Sequence, residues 1–313
     1  MLDVRRMRVL REVAAKGSFS AAAASLSYTQ SAISQQIAAL EREAGTTLVE
    51  RGARGVRLTD AGRALVDHAD VILARLADAE AELDAIAGLR AGRVRLVAFP
   101  SAGATIIPPA IARFRAAHPD VDLTLRPGEP EDGIALVRAG EADVALGVEA
   151  PTACTPVPDG VVIEPLLDDH MYAVLPADHR LATRRRVRLE DLADDQWILG
   201  SNTGTCQDAR IVLQACGGAG FEPRIVFQHD DYPAIQGFIA AGVGVSLMPE
   251  LALQTVREDV VVLPLTGRAP FRRIVAATLA DGWESPAKRR MIEVLREVGE
   301  EFAGRRGALR LAG

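Results

Sequence analysis

Residues 18–43 read SFSAAAASLSYTQSAISQQIAALERE, and their pattern decides the fold of the N-terminal part of the chain. Four alanines, Ala21 to Ala24, run into a short polar break at Ser27-Tyr28-Thr29. The segment that follows places Gln30, Ser31, Ser34 and Gln35 on its early face and carries no charge before Glu41. Ile33, Ile37 and Leu40 recur at helical spacing and predict its buried side. Thr29 or Ser31 is placed to cap this helix, and Gly45 to close it after Ala44. Ser18 or Ser20 does the same for a shorter helix through Leu26. Two helices joined by about three residues, the second with a polar outward face, fit a helix-turn-helix. They fit a small helical bundle with one solvated face equally well.

Upstream, Val4, Met7, Leu10, Val13 and Ala14 predict a first helix that stops at Gly17. Downstream lies LVERGARGVRLTDAG, residues 48–62, where Gly52 and Gly55 mark a turn between two short extended pieces. Arg51, Arg54 and Arg57 sit on it. On a β-wing they reach backbone phosphate or a minor groove; otherwise this is an ordinary basic hairpin. Thr59 then opens a long helix to about residue 90. Leu58, Leu65, Ile72, Ala79 and Ile86 are spaced by seven, and Ala69, Leu76 and Leu83 form a second series offset by four. That spacing predicts a helix–helix seam between copies of the chain, unless the helix lies on its own domain.

Charge is distributed unevenly. Residues 1–58 carry nine Lys and Arg against five Asp and Glu, a net +4, whereas the remainder carries 27 against 37, a net −10. The basic end can face phosphate while the acidic body avoids it. With 313 residues, 49% hydrophobic, the chain is expected to form two or three globular domains. No apolar run reaches the about 18 residues of a membrane span, and the start lacks the apolar core of a signal peptide. A cytoplasmic protein without membrane association is therefore expected. Cys154, Cys206 and Cys216 form neither a disulfide framework nor a metal cluster, and no cofactor is expected. His68, His118, His170, His179 and His229 are scattered, and GATIIPP lacks the Gly-Lys-Ser/Thr ending of a phosphate loop. These absences argue against an enzyme.

From Arg93 the rhythm changes. VRLVAF, VDLTLR and DVALGV are strand-like, with helices expected at 104–117 and 131–139, a βαβαβ run and a parallel sheet. The pattern restarts with MYAVLP and QWILGS, then a helix over 205–216, RIVFQ, a helix over 232–241 and GVSLMP. FRRIVAATL and a helix over 286–302 close it. Two similar lobes in a clam-shell follow, with the chain crossing near Val162 and near Leu265.

Residues 17–62 resemble the LysR-type transcriptional regulator family. They are similar to its ordered set of an SxxxAA helix, an SQ(P/S)A(V/L)SxQI recognition helix, an LxxR wing entry and a VxLTxAG start to the linker helix. FPSAGATIIPPAIARFRAAHPDVDLTL and GEADVALGV resemble the family's first effector lobe; YAVLPADHRLA and AAGVGVSLMPE resemble the second. The resemblance implies an α/β chain with a winged helix-turn-helix at 1–58 and a linker and dimerisation helix at 59–90. A two-lobed, periplasmic-binding-protein-like effector domain follows at 91–303. Lobe I covers 91–162 and 266–303, lobe II covers 163–265, and residues 304–313 form a loose tail. It implies a DNA-binding regulator whose effector tilts the lobes and repositions the winged helices.

By the motif match, Thr29, Gln30, Ser31, Ser34 and Gln35 face DNA, with Arg51, Arg54 and Arg57 on the wing. Amides and hydroxyls read base edges there, and carboxylates would repel phosphate. Gln35 stands where the family often has Arg, which removes one charge. Effector contacts are expected beyond the strand ends. Ser101, Ala102, Arg126 and Val148 are the candidates in lobe I, and Asn202, Thr203, Gln228 and His229 in lobe II, with Ser201 beside Asn202. Helix capping accounts for the same Ser, Thr and Asn positions. A small carboxylate or polar amide is the expected ligand class. Expected partners are double-stranded promoter DNA, one or three further copies of the chain, and RNA polymerase. A redox-sensing regulator using Cys206 and Cys216 is the alternative, by a loose resemblance to the family's peroxide-sensing branch. Here the spacing is one residue longer and Thr205 replaces a His.

Overall fold

The computed structural model describes residues 1–52, 55–86, 92–150, 157–200, 207–280 and 285–305. The chain divides into two compact units, one built around its first 90 residues and one around the α/β region that follows.

In the first unit, α1 (Val4–Lys16), α2 (Phe19–Ser25) and α3 (Gln30–Ala44) form a helical body. Each helix is capped from the residue before it. Asp3 accepts the Arg5 N–H at 2.7 Å, Ser18 the Ala21 N–H at 3.4 Å, and Thr29 the Ala32 N–H at 3.2 Å. Gly45 ends α3 at φ 69°, the left-handed conformation that a side chain would strain. Leu10, Val13, Ala22, Ile33, Ile37 and Leu40 are buried together, and the small Ala22 and Ala23 let α2 seat closely on its neighbours.

β1 (Val49–Gly52) and β2 (Gly55–Leu58) form an antiparallel hairpin, with Glu50 opposite Arg57 and Arg51 opposite Val56. Thr59 ties this hairpin to α4 (Asp60–Ile86). Its hydroxyl donates to the Thr47 carbonyl at 2.8 Å and accepts the Gly62 N–H at 3.0 Å. A Cβ at Gly62 would stand 2.0 Å from the Leu48 carbonyl oxygen, so only glycine lets the helix start this close. Along α4, Leu65, Val66 and Ala69 pack on the unit's own core. Farther on, Ile72, Leu76 and Leu83 are exposed, Leu83 at 65%. The first half of this helix thus lies on its own domain, which takes Leu65 and Ala69 out of the expected seam series, while the apolar row of its second half stays exposed. Residues 87–90 lie outside the described residues.

The α/β region begins with β3 (Arg93–Ala98), α5 (Pro100–Ala104), α6 (Ile107–Ala117), β4 (Asp122–Pro127), α7 (Pro130–Arg138) and β5 (Val144–Glu149), with residues Ala135–Ala142 counted in the first unit. β3 lies between β4 and β5, parallel to both. The single helix expected at 104–117 is instead two. Pro108 and Pro109 suit only a first helical turn, so α6 restarts at Ile107.

β6 (Val161–Pro176), β7 (Gln196–Leu199), α8 (Gln207–Gly218), β8 (Arg224–Gln228), α9 (Tyr232–Ala240), β9 (Ser246–Pro249), β10 (Val260–Leu263), β11 (Phe271–Leu279) and α10 (Pro286–Gly304) complete the unit. β6 is one strand of 16 residues, where the sequence pattern placed a strand only from Met171. Its first part, to His170, pairs antiparallel with β11, and β11 pairs with β5. From Met171 it pairs with β9 and β10. The lobe division expected between residues 162 and 163 therefore falls inside this strand, whose partners change between His170 and Met171. Lobe I packs Phe99, Phe114, Leu146, Ile274 and Leu295 into its core, and lobe II packs Leu175, Leu192 and Trp197. Residues 306–313, most of the expected tail, lie outside the described residues.

Candidate DNA-reading face and effector cleft

On α3, Gln30, Ser31 and Gln35 are exposed and Ser34 is half-buried. The Thr29 hydroxyl is committed to the cap and lies 3.0 Å from the Ser31 hydroxyl. Gln36 accepts from Arg6 Nε at 3.2 Å, which ties it to α1. The carboxylates of α3 also turn inward. Glu41 Oε1 accepts the Leu48 and Val49 N–H groups at 2.9 and 3.2 Å, and Glu43 pairs with Arg6 and accepts the Asp3 N–H. The exposed first half of α3 is therefore neutral, and its amino end carries the positive end of the helix dipole. On the hairpin, Arg57 is exposed and Arg51 stands on β1, while Arg54 lies outside the described residues. Sequence reasoning missed Tyr28, which is 58% exposed directly before the α3 cap. It follows Ser27, whose φ of 57° makes the turn.

In the second unit a cavity of about 1130 Å³ opens between lobe I and lobe II. Of the expected effector contacts, Ser101, Gln228 and His229 line it. Ala102 is fully buried in the lobe I core and Val148 packs against that core, because both are apolar and point into the lobe. Arg126 is exposed on β4, away from the lining. Ser201, Asn202 and Thr203 lie outside the described residues. His229 Nδ1 accepts the Asp231 N–H at 3.0 Å, so one ring nitrogen holds a turn.

The centre of the cavity was missed from sequence. Arg272 on β11 is 2% exposed and makes three charge-assisted contacts. Its Nε donates to Asp169 Oδ2 at 2.9 Å, Nη1 to Asp208 Oδ2 at 2.7 Å, and Nη2 to Ser101 Oγ at 2.8 Å. Its guanidinium lies 5.3 Å from the Phe99 ring centre. Tyr232 donates its hydroxyl to Asp208, and the Leu251 N–H donates to Asp169 at 3.1 Å. Burial penalises the guanidinium, but Asp208 and Asp169 outweigh that and hold it charged, above its ordinary range. Burial likewise raises the Asp169 carboxyl, and Arg272 draws it back. Ser101 belongs to lobe I and Asp208 to lobe II, so one side chain ties the two. A lone Arg beside another in FRRIVAATL carries no sequence signal of this role, since its partners come from distant segments.

Cys216 is fully buried, and burial pushes its thiol up to about 12. Such a thiol is inert at neutral pH. Cys206 lies outside the described residues. Among the described residues no three His, Cys, Asp or Glu side chains are grouped to hold a metal. None of their helices is long and apolar enough to cross a membrane.

Comparison with known proteins agrees with both units. The LysR substrate binding domain matches residues 87–300, and the bacterial regulatory helix-turn-helix of the lysR family matches residues 4–63. The transcriptional dual regulator GltC of Bacillus subtilis is 32% identical over 250 residues, covering 80% of this chain and 81% of its own. The HTH-type transcriptional regulator ShiR of Corynebacterium glutamicum is 33% identical over 249 residues, covering 79% and 82%. Among solved structures, full-length OxyR from Pseudomonas aeruginosa matches with a TM-score of 0.71 at 24% identity, covering 96% of this chain and 95% of that one. Full-length CbnR complexed with its target DNA matches with a TM-score of 0.64 at 22% identity, covering 95% and 100%. The two structures share the fold; the two domain matches and the relatives above 30% identity carry the assignment. The chain belongs to the LysR family of transcriptional regulators, and it is a DNA-binding regulator with an effector-binding domain.

Proposed function

We propose that this regulator reads a promoter through α3 and its hairpin, and that a small molecule entering the cleft changes that reading. Gln30 and Gln35 are the base-reading amides, Ser31 and Ser34 the adaptable hydroxyls, and Arg51, Arg54 and Arg57 the phosphate contacts. The exposed apolar row Ile72, Leu76 and Leu83 supports assembly as a homodimer or homotetramer through α4. The protein works in the cytoplasm, beside RNA polymerase.

The observation that carries the effector reading is the tie made by Arg272 across a cavity of about 1130 Å³. A ligand that competes for either end shifts the balance between lobe arrangements, which requires different affinity for each. The inert Cys216 thiol favours this over redox sensing. A competition gel shift tests it, with the chain's own upstream intergenic DNA against excess random DNA and fractionated metabolites. Retained binding that one fraction alters is expected. Equal competition by random DNA in every fraction overturns the reading.

A further inference from the structure

We infer that the cleft takes a ligand bearing a cationic amine or guanidinium group on a short hydrocarbon body. This deepens the effector reading and rests on it. Among the described lining residues five are carboxylates, Glu129, Glu131, Asp208, Asp230 and Asp231, and two are arginines, Arg257 and Arg272. Both arginines already have carboxylate partners. Arg272 is held between Asp169 and Asp208, and Arg257 grips both oxygens of Asp259 at 2.8 and 2.7 Å. Asp169 and Asp208 give Arg272 two carboxylates for one cation. A further sign is the other oxygen of Asp208. Among the described residues Oδ1 is buried and accepts no hydrogen bond, an arrangement that invites a donor.

These carboxylates are not one charged run. They come from the start of α7, from α8 and from the segment before α9, and the fold brings them to one opening. Their fields overlap there. Partial desolvation first, then the charges of Asp230, Glu131, Asp208 and Asp132, raise the Glu129 carboxyl. Phe99, Leu199, Val212 and Leu247 supply an apolar wall for the ligand's body. A cleft lined by one sign of charge over low-dielectric walls concentrates the opposite sign. A simple dicarboxylate, by contrast, would meet five carboxylates and two arginines that already have carboxylate partners.

Calorimetric titration of the full-length protein with agmatine and with glutarate tests this. Agmatine is expected to give saturable heat, with glutarate weaker by about tenfold or more. Glu129→Gln and Glu131→Gln lie outside the Arg272 network, so both variants are expected to fold. Each should weaken agmatine by about threefold or more. Tighter binding of glutarate than agmatine overturns the cationic class while leaving the effector site standing. Agmatine heat unchanged in both variants, or no saturable heat in the millimolar range, also overturns it. The effector reading fails separately, in the gel shift, when no metabolite fraction alters promoter retention.

Discussion

The reading face of α3 and the floor of the cleft are both polar, yet they are built in opposite ways. On α3 the reading hydroxyls and amides come from one stretch of six residues, and Gln30 and Gln35 are exposed on a backbone helix. In the cleft, Ser101 and Arg272 stand 171 residues apart, and each is fixed by the other. A surface that must fit partner after partner keeps its reading amides at the surface, out of such a network. A pivot that must choose between two arrangements spends them on itself, and its stability depends on keeping them paired.

Arg272→Leu should break this contrast most strongly. It leaves the buried Asp169 and the half-buried Asp208 without their cation, and should cost about 3–5 kcal/mol in equilibrium urea unfolding. A loss under about 1 kcal/mol would show that the tie is open in solution. Asp169→Leu in the same chain should restore part of the stability, because it removes one of the two stranded carboxyl groups. Next in size, Leu76→Asp with Leu83→Asp should dissociate the assembly in sedimentation, leaving the helical content unchanged. On the reading face, Gln35→Ala should cost about 1–3 kcal/mol on the operator and little on random DNA. An equal loss on both would remove Gln35 from base reading. Arg57→Ala should weaken both DNAs alike and lower the salt slope by about one unit.

The smallest effect concerns pH. The Glu129 carboxyl is raised in the folded chain, so between its ordinary and raised values the folded state binds more protons. Its charge therefore opposes folding at neutral pH, and that penalty fades as pH falls. Glu129→Gln should melt slightly higher than the parent at pH 7.5, with the difference closing toward pH 5.

Local chemistry made the N-terminal unit legible from sequence. Helical spacing marks α1 to α3, with Ser18 and Thr29 before α2 and α3 and Gly17 and Gly45 after α1 and α3, because caps and turns depend on neighbouring residues. The first half of β6 was not legible. Pro165 interrupts the alternation near a register shift, and Glu164, Asp168 and Asp169 look too charged for a central strand. Each carboxylate is matched from elsewhere, by Arg296, Arg273 and Arg272. The cleft escaped for the same reason. Ser101, Gln228 and His229 were found at strand ends, but Ala102, Val148 and Arg126 show that strand-end position alone does not tell which way a side chain faces. Asp208 and Arg272 carry no local mark at all.

Because β6 runs unbroken from Val161 to Pro176, neither lobe owns a full set of strands. The two should melt in a single calorimetric transition, although each has its own core. A chain cut between His170 and Met171 would sever this strand and leave each half held only by its own neighbours, β11 on one side of the cut and β9 and β10 on the other. The lobes are thus poor modules for recombination: they are expressed, lost and inherited as one piece.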